Sequence, residues 1–485
     1  MLNVVSILRA REGSLPMQGL PTNNKRQALW DDAFLKEHDL PGPRYASYPT
    51  TMQLHEEFTF ADYRDAIQKS AADRRALALY VHLPFCPTQC YYCACDRVVT
   101  QDRDKMRSYL DHLIKEIRLV APLVGKTRPI VQLQWGGGTP TYFDDSELTE
   151  LMYHLGRHFN ILASDRADVS IEIDPRSVSV ERLGLLRGLG FNHISLGVQD
   201  FNREVQQGIN RVLPEFRVEE LVAAARSYRF RSVNLDFIYG LPHQNLQTML
   251  NTMAKAIALS PDQISLFSYL HLPARYKAQG MLDEAVLPSP EERISMLSAV
   301  ANQMLAAGYV RIGTDSFVKP ESELGVAYAE GRLRRNFHGY IAHRSADLLG
   351  LGASAVSQIG DLYCQNTSSV RDYQSVLGDG DLPLAAGIRL GRDDLIRRDV
   401  IMSLICRSKV DRKELKERYN IDFETYFAAE QLLIKQFVSD GLLESDGALY
   451  HVTSRGKLVV RKICMAFDAY LPDHLKLGTR LSRVL

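Results

Sequence analysis

The sequence predicts an α/β fold: a partial parallel (β/α) barrel with an N-terminal arm and a mainly helical C-terminal domain. From about residue 76, short apolar runs rich in β-branched residues alternate with amphipathic segments, which is the rhythm of parallel βαβ units. Polar residues follow the carboxyl ends of six of these runs, and parallel barrels gather their catalytic groups at that rim. Six units in series favour a barrel or a partly open barrel over a two-layer sandwich.

The length of the chain, 485 residues, favours one large core domain with appendages. A composition that is 45% hydrophobic and 24% charged is ordinary for a globular protein. Composition divides the chain into four predicted segments: a flexible leader at 1–30, an N-terminal arm at 31–70, a barrel core with an extension at 71–375, and a helical, winged-helix-like C-terminal domain at 376–485.

The predicted leader is polar and lacks clear periodicity, and Met17 is an alternative start to Met1. The segment LPGPRYASYPTT at 40–51 contains three prolines and two tyrosines. Prolines at this density exclude a regular helix and favour an ordered extended arm.

The barrel core contains six predicted strands, at 76–83, 130–135, 169–173, 193–198, 233–240 and 263–270. The amphipathic segments between them predict helices at 104–123, 145–159, 179–189, 214–228 and 245–259. Residues 309–317 are a candidate seventh strand. From about residue 390 helical patterns dominate, until a short β-like tail at 448–463.

The charge balance excludes some classes of function. Lys+Arg and Asp+Glu both number 58, which gives no support to nucleic-acid or anionic-membrane binding as the main role. No stretch approaches the ~18 uninterrupted apolar residues of a membrane span. The N-terminus lacks the basic region and the cleavage site of a signal peptide, so a reducing cytoplasm is the expected location.

The segment Cys86-Pro-Thr-Gln-Cys90-Tyr-Tyr-Cys93-Ala-Cys95 carries four cysteines and directly follows the first predicted strand. Three thiolates spaced C-x3-C-x2-C can hold a cubane [4Fe–4S] cluster and leave one iron without a protein ligand. An open metal position is where chemistry takes place. A disulfide lacks a secretory context, and a structural zinc site lacks a second knuckle. Cys364, Cys406 and Cys464 are isolated and predicted to be small core residues.

Other polar groups stand at the ends of the later strands. Gly136-Gly137-Gly138-Thr139-Pro140 follows the second strand, and glycines bare the backbone so that a ligand can approach it. The remaining strand ends carry Glu172 and Asp174, Gln199 and Asp200, Asp236 and Tyr239, and Tyr269 and His271. Glu172 also suits a salt bridge at the rim.

These residues resemble the radical S-adenosylmethionine (SAM) enzymes, and within them the oxygen-independent coproporphyrinogen III oxidase family. The resemblance runs from roughly residue 40 to the last residue. It is carried by YVHLPFC, the extra Cys95, WGGGTPTY, IEIDPR, SLGVQDFN, NLDFIYGLP, RNFHGY and the closing LSRVL.

The resemblance implies that Cys86, Cys90 and Cys93 ligate the cluster and that SAM chelates the fourth iron. One electron would then cleave SAM into methionine and a 5′-deoxyadenosyl radical. That radical would take a hydrogen from the β-carbon of a propionate, and loss of CO2 and an electron would leave a vinyl group. Two such steps convert coproporphyrinogen III into protoporphyrinogen IX. An electron donor such as a flavodoxin or ferredoxin and a monomeric enzyme are expected.

The resemblance also implies two SAM molecules. Residues carried over to the first are Tyr80, Gly137, Glu172 and Val356, and those carried over to the second are Tyr92, Gly138, Thr139, Gln199, Arg211, Asp236 and the backbone near Leu270. Arg211 suits a carboxylate but also fits a surface position on a helix. Tyr80 and His82 share one face of the first strand and, with Cys95, are the catalytic candidates. From the residues alone, Tyr80 and His82 also fit a half-buried core.

The chain departs from the family pattern near the expected substrate. Gly-Met-Asp-His-Phe is replaced by Gly313-Thr314-Asp315-Ser316-Phe317, and the usual small residue before His271 is Leu270. Ser316 cannot exchange protons near neutral pH as an imidazole does, and His271, His338 and His343 are candidates to compensate. A radical SAM enzyme acting on another tetrapyrrole, such as a haem-opening methyltransferase, is therefore one alternative. A haem-binding chaperone is another, although Cys95 and the arm argue against it.

Overall fold

The computed structural model describes residues 32–39, 42–163, 166–342 and 346–471. The predicted leader at 1–30, the two alternative starts, His343 and the closing LSRVL motif lie outside the described residues.

The six strands predicted for the barrel core are all present, as β1, β4, β6, β7, β8 and β9 below. Along β6, the alternate residues Val169, Ile171 and Ile173 are buried, while Ser170 and Glu172 line a central cavity. The strands are β1 Leu77–Leu83, β2 Phe85–Cys86, β3 Val98–Val99, β4 Pro129–Gly137, β5 Asn160–Ile161, β6 Asp168–Ile173, β7 His193–Gln199, β8 Ser232–Tyr239, β9 Gln263–Ser268, β10 Val310–Ile312, β11 Ser316–Val318, β12 Arg334–Asn336, β13 Gly339–Ile341, β14 Asp347–Leu351, β15 Val356–Ile359, β16 Leu362–Asn366, β17 Leu384–Arg389, β18 Lys409–Asp411, β19 Leu443–Ser445 and β20 Leu449–Val452.

The helices predicted between the core strands are confirmed within one or two residues. Their starts are capped: in α4, for example, Asp144 and Glu147 form a reciprocal capping box. The helices are α1 Asp32–His38, α2 Phe60–Ala72, α3 Arg103–Val124, α4 Asp145–His158, α5 Val180–Gly188, α6 Arg203–Gly208, α7 Glu215–Ser227, α8 Leu246–Ala258, α9 Pro290–Ala306, α10 Glu323–Ala329, α11 Val370–Gly378, α12 Arg392–Arg407, α13 Arg412–Tyr419, α14 Phe423–Tyr426, α15 Gln431–Ser439 and α16 Val460–Met465. Of the helices in the described ranges, none combines the length and apolarity that crossing a bilayer requires.

One large sheet organises the molecule. Its parallel centre runs β9-β8-β7-β6-β4-β1-β14, and antiparallel strands extend it to β10 at one edge and β17 at the other. No pairing among the described strands joins these two edges, so the barrel is open, as predicted. Because the central strands are parallel, their carboxyl ends share one rim.

The prediction of a single seventh strand at 309–317 is wrong. The segment is a hairpin in which β10 and β11 pair antiparallel, with Ile312 opposite Ser316. Gly313 adopts a positive φ of 56°, which glycine tolerates without strain. The turn therefore reverses the chain and places Thr314 and Asp315 between the two strands.

A second hairpin, β12–β13, spans the open side of the barrel. At one end, the Tyr340 hydroxyl lies within hydrogen-bond distance of Thr314, in the turn after β10. At the other end, the ring of His338 stacks on Tyr80 of β1, with centroids 3.4 Å apart, and Asn336 donates a hydrogen bond to Gln132 of β4. The hairpin thus closes part of the gap between the two sides of the sheet.

After β17 the chain is mainly helical, as predicted, with a small antiparallel sheet of order β18-β20-β19. The predicted β-like tail is only partly correct, because β20 ends at Val452 and α16 follows. Val459, Val460 and Ile463 are buried, and the Cys464 thiol contacts the Ile401 carbonyl of α12. Burial against α12 therefore overrides the strand propensity of this β-branched run.

The N-terminal arm is ordered and non-helical over residues 42–50, as the prolines predict. Tyr45 and Tyr48 are each 1% exposed. The Tyr45 hydroxyl donates to Asp468, and Arg461 donates to the carbonyls of Gly42 and Pro43. The arm is thus held by the C-terminal part of the chain.

Candidate active site

A cavity of about 610 Å³ occupies the open barrel, a volume typical of small-molecule sites. Its walls come from the cysteine loop after β1, the carboxyl ends of β4, β6, β7 and β8, and the β12–β13 hairpin. The cavity also follows the barrel interior down to the first residues of β6 and β7. Polar groups dominate the inward-facing positions, among them Gln134, Glu172, Ser195, Asn234 and Asp236.

The cysteine loop is bound by one guanidinium group. Arg97 donates to the carbonyl oxygens of Cys90, Cys93 and Cys95, at 3.2 to 3.4 Å. The three carbonyls therefore turn towards Arg97. A positive charge beside the loop also favours thiolate over thiol.

Hydrogen-bond donors point at two of the sulfur atoms. The Thr139 hydroxyl lies 3.4 Å from the sulfur of Cys86. The guanidinium groups of Arg176 and Arg211 each lie 3.6 Å from the sulfur of Cys90. Donors to sulfur stabilise the negative charge that thiolate ligands bring to an iron–sulfur cluster.

The thiols differ in their ease of ionisation. A hydrogen bond from the Cys95 thiol, with Arg97 nearby, lowers the pKa of Cys93 to about 6. The same contact raises the pKa of Cys95 well above its ordinary value. Burial raises the pKa of Cys86 to about 11. Cysteine thiolates are the ligands that hold a [4Fe–4S] cluster, and hydrogen-bond donors near their sulfur atoms are compatible with it, so the residues present fit that group.

The glycine turn after β4 is packed against the cysteine loop. Gly137 has a φ of 109°, and a Cβ there would lie 2.7 Å from the His82 ring. A Cβ on Gly138 would lie 2.6 Å from the Pro84 carbonyl oxygen. The Gly138 and Thr139 amides donate to the carbonyls of Leu83 and Phe85. Only glycine lets the two backbones come this close.

Two carboxyl groups line the cavity from β6 and β8, the strands on either side of β7. Glu172 accepts from Gln134 and from the Gly137 amide, at 3.1 and 3.3 Å. Burial, together with the charge of Asp236, raises the pKa of Glu172 to about 7. Burial also raises the pKa of Asp236, which accepts from Ser195 at 2.5 Å. Acidic groups with raised pKa values in a cavity are typical of ligand sites.

Arg211 is buried in a loop after α6 rather than exposed on a helix surface. It forms an ion pair with Asp174 at 2.9 Å and donates to the Gly197 carbonyl at 2.6 Å. Its Nε is buried without a hydrogen-bond partner among the described residues. The group therefore keeps a donor for a ligand.

Tyr80 and His82 form a wall behind the cavity. The Tyr80 hydroxyl lies 3.1 Å from His82 Nδ1, and His82 Nε2 lies 2.9 Å from the Asp96 carbonyl oxygen. His338 covers the other face of Tyr80 and itself lines the cavity. Burial, reinforced by His82, lowers the pKa of His338 to about 3, so its imidazole is neutral at physiological pH.

Most of the predicted site residues meet in this one cavity. Those that line it are Cys86, Cys90, Tyr92, Cys93, Cys95, Gly137, Gly138, Thr139, Glu172, Gln199, Arg211 and Asp236. Tyr80, His82, Val356 and Leu270 are not among the lining residues, although Tyr80 and His82 lie against His338 and Gly137, which are. Gln279 donates to the carbonyls of both Leu270 and Tyr92 and so ties the Leu270 backbone to the cysteine loop.

Other predicted groups have structural contacts. Asp200 accepts from Gln244 and Thr252 and is not among the residues that line the cavity. His271 lies 2.8 Å from the Tyr269 hydroxyl and pairs with Glu284. Cys364, Cys406 and Cys464 are buried, as predicted for core residues.

Sequence reasoning did not single out Arg97, Arg176 or Arg335, although all three contribute to the cavity lining. Arg176 stands two residues after a strand-end carboxylate, and Arg97 two residues after the last loop cysteine. An arginine so close to a predicted site residue is a signal from which the sequence could have predicted these two groups. Arg335 reaches the cavity only through the fold of the β12–β13 hairpin.

Comparison with known proteins gives a consistent result. The Radical SAM superfamily model matches residues 80–256, and the HemN C-terminal domain model matches residues 390–459. Proteins named oxygen-independent coproporphyrinogen III oxidase are similar over nearly the whole chain. The one from Pseudomonas aeruginosa is 45% identical over 94% of this chain and 99% of its own, and the one from Escherichia coli K12 is 41% identical over 95% and 99%.

A solved structure is also similar. It is described as coproporphyrinogen III oxidase (HemN) from Escherichia coli, a radical SAM enzyme. It is 41% identical to this chain, covers 91% of it and 99% of its own length, and superposes with a TM-score of 0.86.

Proposed function

The chain belongs to the oxygen-independent coproporphyrinogen III oxidase family of radical SAM enzymes, and we propose on that ground that it converts coproporphyrinogen III into protoporphyrinogen IX. It is an oxidoreductase that uses SAM and a [4Fe–4S] cluster. In the proposed reaction, two propionate groups each lose a hydrogen atom, CO2 and one electron and become vinyl groups.

The observation that carries the proposal is the cysteine loop packed beside the glycine turn in the wall of one cavity. When bound, the cluster and SAM supply a one-electron cleavage that yields a hydrogen-abstracting 5′-deoxyadenosyl radical. Cys86, Cys90 and Cys93 would ligate the cluster. Arg97, Arg176, Arg211 and Thr139 would hold the loop and offset the negative charge of its sulfur atoms.

We assign the first SAM to Glu172, the Gly137 backbone, Tyr80 and Val356. Glu172 is an acceptor at the rim, suited to the amine or ribose hydroxyls of SAM. The Tyr80 ring is fixed between His82 and His338. These contacts would hold an adenosyl group in one orientation.

A second SAM is a further part of the proposal. Its residues would be Tyr92, Gly138, Thr139, Gln199, Arg211, Asp236 and the Leu270 backbone. The buried, unpaired Nε of Arg211 suits the SAM carboxylate. The link between the carbonyls of Tyr92 and Leu270 through Gln279 supports a common pocket.

The departures near substrate introduce hydroxyls in place of larger groups. The Ser316 hydroxyl lies 3.3 Å from Gln263 Nε2, and the Thr314 hydroxyl accepts from Arg335 at 3.2 Å. Among the histidines considered as replacements, His338 lines the cavity, whereas His271 is bound to Tyr269 and Glu284. We therefore assign any compensating imidazole role to His338.

A monomeric cytoplasmic enzyme reduced by a flavodoxin or ferredoxin remains part of the proposal. So does a barrel core that ends near residue 375, although β17 continues the large sheet to Arg389.

The decisive experiment supplies the reconstituted, reduced protein anaerobically with coproporphyrinogen III and SAM and follows the products by mass spectrometry. We expect protoporphyrinogen IX and 5′-deoxyadenosine. Deoxyadenosine without decarboxylation would refute the proposed substrate and favour the alternative of another tetrapyrrole. Binding of haem without any turnover would favour the chaperone alternative.

Cys93→Ser tests the ligand assignment, with Cys95→Ser as its matched control two residues away. We expect Cys93→Ser to lose the cluster iron and its visible absorbance, because a hydroxyl is a poor ligand for iron in these clusters. Cys95→Ser should keep both. Equal iron content in the two variants would contradict the assignment of Cys93.

A further inference from the structure

Arg335 of β12 is buried beside the cavity with part of its hydrogen-bonding capacity unused. Its side chain is 10% exposed and lines the cavity. Nη1 donates to the Tyr340 hydroxyl at 2.6 Å and to the Thr314 hydroxyl at 3.2 Å. Nε has no hydrogen-bond partner among the described residues. Asp315, the ion-pair partner of Nη2, is 3.7 Å away, beyond hydrogen-bond distance.

The unused donors form one edge of the guanidinium group. Nε–H and one Nη2–H are parallel and spaced to match the two oxygens of a carboxylate. Tyr340 and Thr314 hold the opposite corner, and the Arg335 guanidinium also lies over the Tyr340 ring, 4.7 Å from its centre. The free edge is therefore held in a fixed orientation, which lowers the entropy cost of binding.

The surroundings of Arg335 are rich in positive charge, which favours a second anion besides Asp315. Burial lowers the pKa values of Arg44, Arg311 and Arg461, and Asp315 is one of the groups that oppose this effect. It also helps to raise the pKa of Arg335. The Asp315 carboxylate thus lies in the field of four guanidinium groups. A bound anion would be stabilised in such surroundings.

We propose that the Nε–Nη2 edge of Arg335 binds a propionate carboxylate of the tetrapyrrole substrate. Thr314 and Tyr340 are positioning residues in this proposal, because their hydroxyls accept from Arg335 and hold its guanidinium group. The inference rests on the proposed function, since coproporphyrinogen III carries four propionates and only two of them react. It also gives a role to Thr314, which departs from the family pattern.

The SAM carboxylate is the other source of the same chemistry. Arg211, whose guanidinium lies 3.6 Å from the sulfur of Cys90, is assigned to that ligand. Arg335 is carried by the β12–β13 hairpin and contacts the turn between β10 and β11. The tetrapyrrole is therefore the source we favour, and SAM binding becomes a separate arm of the test.

The test measures binding of coproporphyrin III, the stable oxidised tetracarboxylate, and of its tetramethyl ester to the reconstituted protein under anaerobic conditions. We expect Arg335→Gln to weaken binding of the acid about 10- to 100-fold, the range of a charge-assisted bidentate contact, and to leave ester binding unchanged. Arg335→Lys keeps the positive charge but lacks the two parallel N–H donors, so it should lose part of the affinity for the acid. SAM affinity, measured by equilibrium dialysis, should not change.

Arg334→Gln is the matched control, because Arg334 is the adjacent residue and donates to the carbonyls of Gly331 and Leu333. It should bind the acid as the wild type does. Thr314→Val removes one acceptor of Arg335 and should weaken acid binding about 2- to 10-fold. If Arg335→Gln fails to fold, as judged by circular dichroism, Arg335→Lys and Thr314→Val carry the test.

Equal acid affinity in wild type and Arg335→Gln would overturn the inference, as would a loss of SAM binding in place of porphyrin binding. Failure of the proposed function is a different outcome. In that case the wild type binds the acid more tightly than the ester through Arg335 but does not decarboxylate coproporphyrinogen III. If the wild type decarboxylates coproporphyrinogen III, and Arg335→Gln keeps the full affinity for the acid and an unchanged KM, only the role of Arg335 is refuted.

Discussion

At the scale of single residues, His338 is a half-buried and neutral imidazole beside the cavity. Its ring lies against Tyr80 with an interplanar angle of 12°. Its Nε2 is buried without a hydrogen-bond partner among the described residues. Protonation of this imidazole is unfavourable, because the cation would lack the hydration that it has in the unfolded chain.

The pH dependence of stability should report this group. The pKa of His338 is lowered from 6.5 to about 3 in the folded protein, so between those values the unfolded chain binds a proton that the folded chain does not. Stability therefore falls as pH decreases below 6.5. From pH 7 to pH 5 the loss attributable to one such histidine is about 2 kcal/mol.

Between pH 7 and pH 5, we expect the free energy of unfolding of His338→Gln to fall by about 2 kcal/mol less than that of wild type. The measurement is urea denaturation of the metal-free protein. His451→Gln is the control, because His451 is exposed on β20 and pairs with Asp446. A His338 variant with the pH slope of the wild type would contradict the assigned cause.

At the scale of elements, Glu116 joins α3 to the far half of the sheet. Its side chain is 2% exposed. It accepts from the Gly352 amide after β14, from Asn366 of β16 and from the Tyr373 hydroxyl of α11, all at 2.6 to 2.7 Å. One carboxyl group thus satisfies three buried donors from three elements.

Glu116→Gln should destabilise the fold by about 1 to 3 kcal/mol, because the new amide NH2 would face donors that need an acceptor. The measurement is the free energy of unfolding in urea. Glu150→Gln is the matched control: Glu150 of α4 pairs with Arg107 while 37% exposed, and removing such a pair costs at most about 1 kcal/mol. Equal losses in both variants would show that Glu116 is not the link between these elements.

The elements also show where local patterns mislead. The alternation in YVRIGTDSF resembles one strand, but Gly313 permits a turn, and the Leu266 amide donates to the Asp315 carbonyl. The β-branched residues of LVVRKI become part of α16 because α12 offers an apolar surface. Both outcomes depend on partners distant in sequence, which a local pattern does not contain.

At the scale of the whole molecule, the two ends of the described chain hold each other. Arg461 of α16 is buried and donates to the carbonyls of Gly42 and Pro43, at 2.6 and 2.9 Å. Tyr45 donates to Asp468, and the Ala469 amide donates to the Tyr48 hydroxyl. The same arm reaches the barrel, where Arg44 donates to the Ser268 carbonyl. The arm therefore couples the C-terminal helices to the rim of the barrel.

Arg461→Met should loosen this contact, because two buried carbonyls would lose their donor at a cost of about 1 to 3 kcal/mol. We expect faster amide hydrogen exchange over residues 42–49, followed by mass spectrometry, and a lower unfolding temperature. Lys435→Met, an exposed cation of α15, should change neither. Unchanged exchange in Arg461→Met would refute the coupling of arm and α16.

The strand and helix order of the barrel, the cysteine loop and the glycine turn could all be predicted from the amino-acid sequence. Each of these is a local pattern, because hydrophobic period and residue spacing are properties of a short stretch of chain. Only the tertiary structure decided that Arg97, Arg176 and Arg211 surround the loop, that Tyr80 meets His338, and that Arg335 keeps one edge free. These arrangements depend on side chains brought together from separate elements, and their burial and charge exist only after the sheet has folded.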